Sequence, residues 1–347
     1  MSSTKLTKPP RLRPGDTVCA ISLSSGAAAA FPERYRRGKC QFEKTFGVTV
    51  VEAPNALRDD AWLYANPRAR ADDLAWALNE PSVRGIVSII GGDESVRILP
   101  YLDHGLIRAK PKVFMGFSDA TIALTAFRNA GVVAFHGPAV MTDLAEAGGI
   151  HPFVERSVRR VLFEGWSGVL EHATEWSEQF LDWGDKAVAE RTRDYLPSRG
   201  PVWLQGSGMV EGPLCGGNIE VLEFLKGTAW WPHPASWEGA VLCFETSEEA
   251  PSVAAVGRYL RNYGSLGILE GAAALLLARP MRYTAEGQWR LYDETRRILA
   301  EFGRSTMPVV ANLDVGHTSP QQVLPFGCAM RVDADAEELT LLEPGVS

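Results

Sequence analysis

The sequence predicts an α/β protein of two domains, the first built on a parallel sheet that carries a nucleophile elbow and the second also α/β. Short β-branched runs alternate with amphipathic stretches through the first half, the pattern of strand–helix–strand units. The strand candidates are almost continuously apolar, as expected of a sheet covered on both faces. A chain of 347 residues also exceeds the roughly 250–300 that one hydrophobic core organises.

In chain order, the first unit (residues 1–165) has strands at Thr17–Leu23, Val48–Glu52, Gly85–Ile90, Lys112–Met115 and Val132–Phe135. Helices lie between them at Glu33–Thr45, Pro67–Leu78 and Ala120–Asn129. Pro67 suits a first helical turn, and Asn66 before it is an N-cap candidate. A helix over Pro152–Phe163 closes the unit. Residues 166–208 lose all period and carry Trp166, Trp176, Trp183 and Trp203 among charges and glycines. So long an irregular stretch is functional or a linker, and it is expected to connect the domains and recognise substrate. The second unit (residues 209–347) opens with Gly216-Gly217-Asn218 leading a helix to Leu225. Strands follow at Ala240–Phe244, Ala272–Ala278 and Pro308–Asn312, with helices at Ser252–Tyr263 and Leu291–Phe302.

Composition narrows the function. The 35 Lys+Arg and 42 Asp+Glu leave a formal charge of −7, so nothing electrostatic calls for nucleic acid or an anionic membrane. No run of about 18 apolar residues spans a bilayer, and Val18–Leu23 is too short for the apolar part of a secretion signal. The cysteines (Cys19, Cys40, Cys215, Cys243, Cys328) are scattered and never spaced C-x-x-C, which fits reduced thiols in a cytoplasmic protein without a structural metal.

The strongest local signal is Val113-Phe114-Met115-Gly116-Phe117-Ser118-Asp119-Ala120-Thr121. A strand enters a tight small-x-Ser-x-small turn and a helix follows at once, the setting of a nucleophile elbow. The helix N-terminus favours developing negative charge, and the Asp119 amide can serve as an oxyanion donor. The alternative is that Ser118 or Asp119 merely caps the helix. Gly91-Gly92 after the third strand offers further amides, though such a pair is often only a turn.

A nucleophilic serine needs a base, and the chain has six histidines. His104, His151, His172 and His233 read as surface residues. His136 ends a strand and reads foremost as a packed histidine, whereas His317 follows one beside Gly316. His317 is therefore the first candidate. Glu245 ends an apolar strand, where a carboxylate is costly unless partnered, and is the candidate to orient the base. Asp314 competes for that role, while Glu248 and Glu249 are expected to solvate the next helix.

Taken in order, Gly91-Gly92, Gly116-Phe117-Ser118-Asp119, Gly216-Gly217-Asn218, Phe244-Glu245 and Gly316-His317-Thr318 resemble the LD-carboxypeptidase family of serine peptidases. That family includes muramoyltetrapeptide carboxypeptidases and the microcin C self-immunity (MccF) branch. The resemblance implies a triad in which Ser118 attacks, His317 is the base and Glu245 orients it, with Gly92 and Asp119 amides as oxyanion hole. It also implies a homodimer that needs no cofactor or metal. The segment Leu181–Lys186 looks like the MccF branch. There an aromatic residue, matched by Trp183, stacks on a nucleobase; the alternative is that Trp183 only packs the loop. Gly91 and Asn218 join Trp183 as expected substrate contacts. The expected substrate is a small peptidyl- or aminoacyl-nucleotide conjugate. A murein tetrapeptide losing terminal D-Ala is the second reading, and a cleft that binds without turnover is the third.

Overall fold

The computed structural model describes residues 6–347. The first sheet uses β1 (Thr17–Ile21), β2 (Thr49–Glu52), β3 (Val83–Ser88), β4 (Val113–Gly116) and β5 (Ala134–His136), all mutually parallel. Short pieces follow: β6 (Gly168–Val169), β7 (Glu175–Trp176), β8 (Leu196–Pro197) and β9 (Val202–Gln205). The remaining strands are β10 (Met209–Asn218), β11 (Val241–Glu245), β12 (Ala274–Ala278), β13 (Val309–Leu313), β14 (Leu324–Phe326), β15 (Ala329–Asp333) and β16 (Glu338–Leu341).

The first sheet has the order β14-β5-β4-β3-β1-β2 and the second β6-β16-β15-β10-β11-β12-β13-β9. In the second, β10 to β13 are parallel, flanked by antiparallel β9 on one side and antiparallel β15, β16 and β6 on the other. β14 lies beyond the expected start of the second unit at residue 209, yet pairs antiparallel with β5 and closes the first sheet. The chain therefore crosses between the sheets more than once.

Alternation along the strands decides which core each side chain joins. Val241, Cys243, Ala274, Leu276 and Val310 face a core continuous with the first sheet. Leu242, Phe244, Leu275, Leu277, Val309 and Ala311 face the other way, onto Val256, Leu260 and Tyr263 of the helix Val253–Ser265 and Leu291, Tyr292 and Ile298 of the helix Ala285–Glu301.

The predicted strands and helices of the first unit are present, with their ends displaced by at most two residues. Asn66 does occupy the cap position of the helix Pro67–Asn79, but its side chain does not cap. Its Nδ2 donates back to the Trp62 carbonyl instead. The helix from Pro152 ends in a π turn, Arg159–Glu164. The largest addition is β10: Gly216-Gly217-Asn218 does lead a helix to Leu225, but it is also the end of a ten-residue strand that the sequence reading lacks. Gly212, Pro213, Gly216 and Gly217 dilute its strand signal, and its neighbours change midway. Met209–Pro213 pairs antiparallel with β15, and Leu214–Asn218 parallel with β11.

The carboxyl ends of both sheets converge. Gly91 and Ser118 lie just beyond β3 and β4, His136 ends β5, Asn218 ends β10, Glu245 ends β11 and His317 follows β13. The seam is tight, since the Asn218 amide donates to Thr121 Oγ1 at 3.0 Å. Strand ends of open α/β sheets are where such folds build their sites.

Candidate active site

Ser118 has φ 58°, a left-handed conformation that non-glycine residues adopt only when their surroundings impose it. The imposition comes from the sharp turn between β4 and the helix Thr121–Asn129. Gly116 makes the turn possible, because a Cβ there would lie 2.8 Å from Ala120 Cβ and 2.9 Å from Ser88 Cβ. No side chain caps the helix at this end, so the capping role considered for Ser118 and Asp119 is not what they do. The Asp119 carboxylate is buried and turned back, accepting from Ser24 Oγ at 2.5 Å and the Ser95 amide at 2.8 Å. Burial pushes its pKa up, against those hydrogen bonds. It thereby ties the segments holding Ser24, Gly91-Gly92 and Ser118 into one unit.

His317 Nε2 lies 3.1 Å from Ser118 Oγ, and Nδ1 lies 2.6 Å from Glu245 Oε2. Burial opposes a positive His317, but the Glu245 charge and hydrogen bond, helped by Glu248, outweigh it and push its pKa up to about 10. Burial likewise opposes a negative Glu245, and His317 and His136 hold it down at about 2. These are two views of one pair, and the direction is common to both: the pair is ionised. The loop approaches because residue 316 is glycine. It has φ 81°, and a Cβ would stand 2.7 Å from Glu245 Oε2 and 2.8 Å from Glu245 Cβ.

Asp314 does not compete with Glu245. It pairs with buried Arg279 at 2.7 Å and accepts from the Ala173 amide, fastening the His317 loop to the body. Arg279 also reaches Asn312 Oδ1 at 3.0 Å, so one guanidinium holds both ends of the turn after β13. His136 is packed as expected, between the rings of Phe117 and Phe326. Its Nε2 nevertheless stands 3.7 Å from the outer oxygen of Glu245. Glu248 departs from expectation: its Oε2 is 3.1 Å from His317 Nε2, on the nitrogen that faces Ser118. Sequence reasoning missed it because a charged residue three positions past a strand end reads as solvated surface.

Gly91 faces the serine, since a Cβ there would be 2.9 Å from Ser118 Oγ and 3.4 Å from the Asp119 nitrogen. At Gly92, φ 138°, a Cβ would lie 2.5 Å from Ser24 Oγ and 3.0 Å from Ser25 Cβ, so only glycine fits there. Asn218 is buried, and its Oδ1 caps the helix Ile219–Leu225 by accepting from Glu220 and Val221. Trp183 is half-buried, edge-on to Phe31 at 5.7 Å between centroids, with the Arg34 guanidinium 4.5 Å from its ring centre. Its segment is held nearby, because Ser177 and Ser319 exchange main-chain hydrogen bonds two residues after His317. Among the described residues no His, Cys, Asp and Glu group of three or more is arranged to hold a metal, and no helix is long and apolar enough to cross a membrane.

Comparison with known proteins matches the chain to two family models. The model of the LD-carboxypeptidase N-terminal domain matches residues 18–137, and that of the LD-carboxypeptidase C-terminal domain matches residues 211–332. The microcin C7 self-immunity protein MccF of Escherichia coli is 26% identical over 337 residues, 96% of this chain and 95% of the relative. A probable murein peptide carboxypeptidase of Bacillus subtilis is 27% identical over 345 residues, 98% and 95% of the two chains. Among solved structures, MccF in complex with glutamyl sulfamoyl guanosine superposes with a TM-score of 0.86 at 26% identity, covering 98% of this chain and 99% of that one. An MccF-like protein from Streptococcus pneumoniae in complex with AMP gives 0.84 at 27%, covering 94% and 98%.

Proposed function

The chain belongs to the LD-carboxypeptidase family of serine peptidases, and on that premise we propose that it hydrolyses an amide or amide-like bond in peptidyl- or aminoacyl-nucleotide conjugates. The observation that carries the chemistry is the unbroken path from Ser118 Oγ through His317 to Glu245, starting at a serine in a left-handed turn. Ser118 Oγ attacks the acyl carbon while neutral His317 Nε2 takes its proton. The oxyanion is held by the Gly92 and Asp119 amides. On collapse of the tetrahedral intermediate, Nε2 gives that proton to the leaving nitrogen and the acyl–Ser118 ester remains. Water, deprotonated by the same nitrogen, then releases the acid and restores Ser118. Glu245 keeps Nδ1 protonated and stabilises the imidazolium, and His136 buttresses Glu245 from behind.

The substrate class rests on likeness at a second place. MccF is seen with glutamyl sulfamoyl guanosine and with aspartyl sulfamoyl adenosine, and an MccF-like protein with AMP. On this reading Trp183 supplies an aromatic ring for a base, and Gly91, beside Ser118, and Asn218, which caps the helix Ile219–Leu225, are the further substrate contacts. Cytoplasmic location and a homodimer belong to the same reading, and sedimentation checks the second.

The test is a side-by-side assay of an aminoacyl sulfamoyl adenosine and a murein tetrapeptide. Hydrolysis of the first with little of the second is expected. Release of D-Ala from the tetrapeptide alone would replace this reading with murein recycling. Turnover unaffected by Ser118→Ala, or no turnover of either substrate, would overturn the catalytic assignment.

A further inference from the structure

We propose that Glu248 is a positioning residue that keeps His317 proton-loaded in the resting protein, so that the base works only after the Glu248 carboxylate has left Nε2. The inference rests on the triad reading above and adds a step to it.

Proton accounting on one ring carries the inference. Glu245 is an acceptor, so Nδ1, 2.6 Å from its Oε2, bears a hydrogen. Nε2 faces Ser118 Oγ at 3.1 Å and Glu248 Oε2 at 3.1 Å. A bare Nε2 and a carboxylate oxygen both only accept and repel each other at this distance, so the ion pair calls for a proton on one of them, although the hydrogen bond of Nε2 is with Ser118 Oγ. That proton resides on the imidazole, because the contact holds the Glu248 carboxyl below its ordinary pKa range while His317 is pushed up. With Nε2 protonated, the lone pair that should take the Ser118 proton is occupied. The observed contact and the reactive state therefore exclude each other.

The surroundings suit a displaceable carboxylate. Glu248 lies on the loop between β11 and the helix Val253–Ser265, and 54% of its side chain is exposed. Arg282 holds its main-chain oxygen at 3.0 Å, which anchors the backbone and leaves the side chain to swing. The groups facing His317 from the neighbouring elements are Glu245 on β11, Ser118 at the elbow, Phe117, and Glu220 on the helix Ile219–Leu225, with His136 behind Glu245. Glu220 is occupied by two hydrogen bonds from Ser247. Glu248 is thus the carboxylate that can leave the ring without breaking the triad.

The test follows His317 by ¹⁵N chemical shift against pH in the full chain, its signal assigned by loss in His317→Gln, together with the rate at which a fluorophosphonate labels Ser118. In Glu248→Gln the His317 titration is expected to move down by about one pH unit or more, and labelling at pH 7 to rise about tenfold. Glu248→Ala should behave alike, because the charge is what matters. A titration or a labelling rate equal to that of the unsubstituted protein in either variant overturns the proposal. Absence of Ser118 labelling in the unsubstituted protein at every pH is a different result: it overturns the nucleophile reading itself, whatever the variants show.

Discussion

Replacing Glu245 with Gln keeps the shape of the side chain and removes its charge from 2.6 Å beside His317 Nδ1. With charge centres about 4 Å apart and an effective dielectric constant of about 20, the lost attraction is about 4 kcal/mol, or about three pH units. His317 should then titrate about three units below its present value of about 10. If Glu245 stabilises the imidazolium that forms as Ser118 attacks, kcat should fall about a thousandfold when the two proteins are compared at alkaline pH, where the resting ring is neutral in both. Glu245 is buried, and the amide introduced has no other partner in place of the ion pair, so thermal melting is run alongside to separate misfolding from lost chemistry. The assay is saturating turnover of the aminoacyl sulfamoyl adenosine combined with the His317 titration. A folded Glu245→Gln protein with kcat within tenfold of the original, or with His317 titrating where it did, would refute the assignment of Glu245 as the orienting charge.

Other consequences of the site can be measured on the same protein. Glu245 is held down at about 2, so its contribution to stability is present above its unfolded value near 4.5 and is lost as pH falls through about 2. His317 is raised to about 10, so its contribution is full below about 6.5 and is lost as pH rises through about 10. The two limbs describe one ion pair and do not add. Denaturant titrations should show its full effect between about pH 4.5 and 6.5, and His317→Gln should flatten the alkaline limb. Gly316→Ala drives a Cβ into Glu245 from a left-handed backbone, and should cost about 2 kcal/mol and most of the activity. Gly303→Ala, with φ 71° and nothing within 4 Å, should cost about 1 kcal/mol and leave turnover unchanged; equal activity loss in the two would disprove the steric explanation. Trp183→Ala should raise KM for the nucleotide conjugate by roughly 10- to 100-fold, from about 1–3 kcal/mol of stacking, and leave KM for a nucleobase-free peptide unmoved. An unchanged KM for the conjugate would assign Trp183 to packing alone.

The elbow was readable because its requirements are local. An apolar strand, small residues on either side of Ser118 and an immediate helix are all adjacent in the chain, and the left-handed Ser118 is their direct result. His317 was found by elimination among six histidines, and Glu245 by the cost of ending an apolar strand in a charge. The errors have the opposite origin. β10 is hidden because its glycines and Pro213 dilute the strand pattern until β11 and β15 supply its hydrogen bonds. β14 was missed because the partner that makes three residues a strand lies in the other half of the chain. Glu248 was assigned to solvent because only the approach of the β13 loop brings a histidine to it.

By itself the sequence determined the alternating α/β pattern, the sharp turn at Ser118 and the residue types able to do acyl transfer. Those follow from side-chain periodicity, backbone sterics and desolvation, which act between near neighbours. The tertiary structure alone decided the distances. Ser118 and His317 are 199 residues apart and meet at 3.1 Å because two sheets aim their carboxyl ends at one seam. It also decided the protonation of the site, since a charge 2.6 Å from a buried imidazole acts through space and leaves no trace in the order of residues.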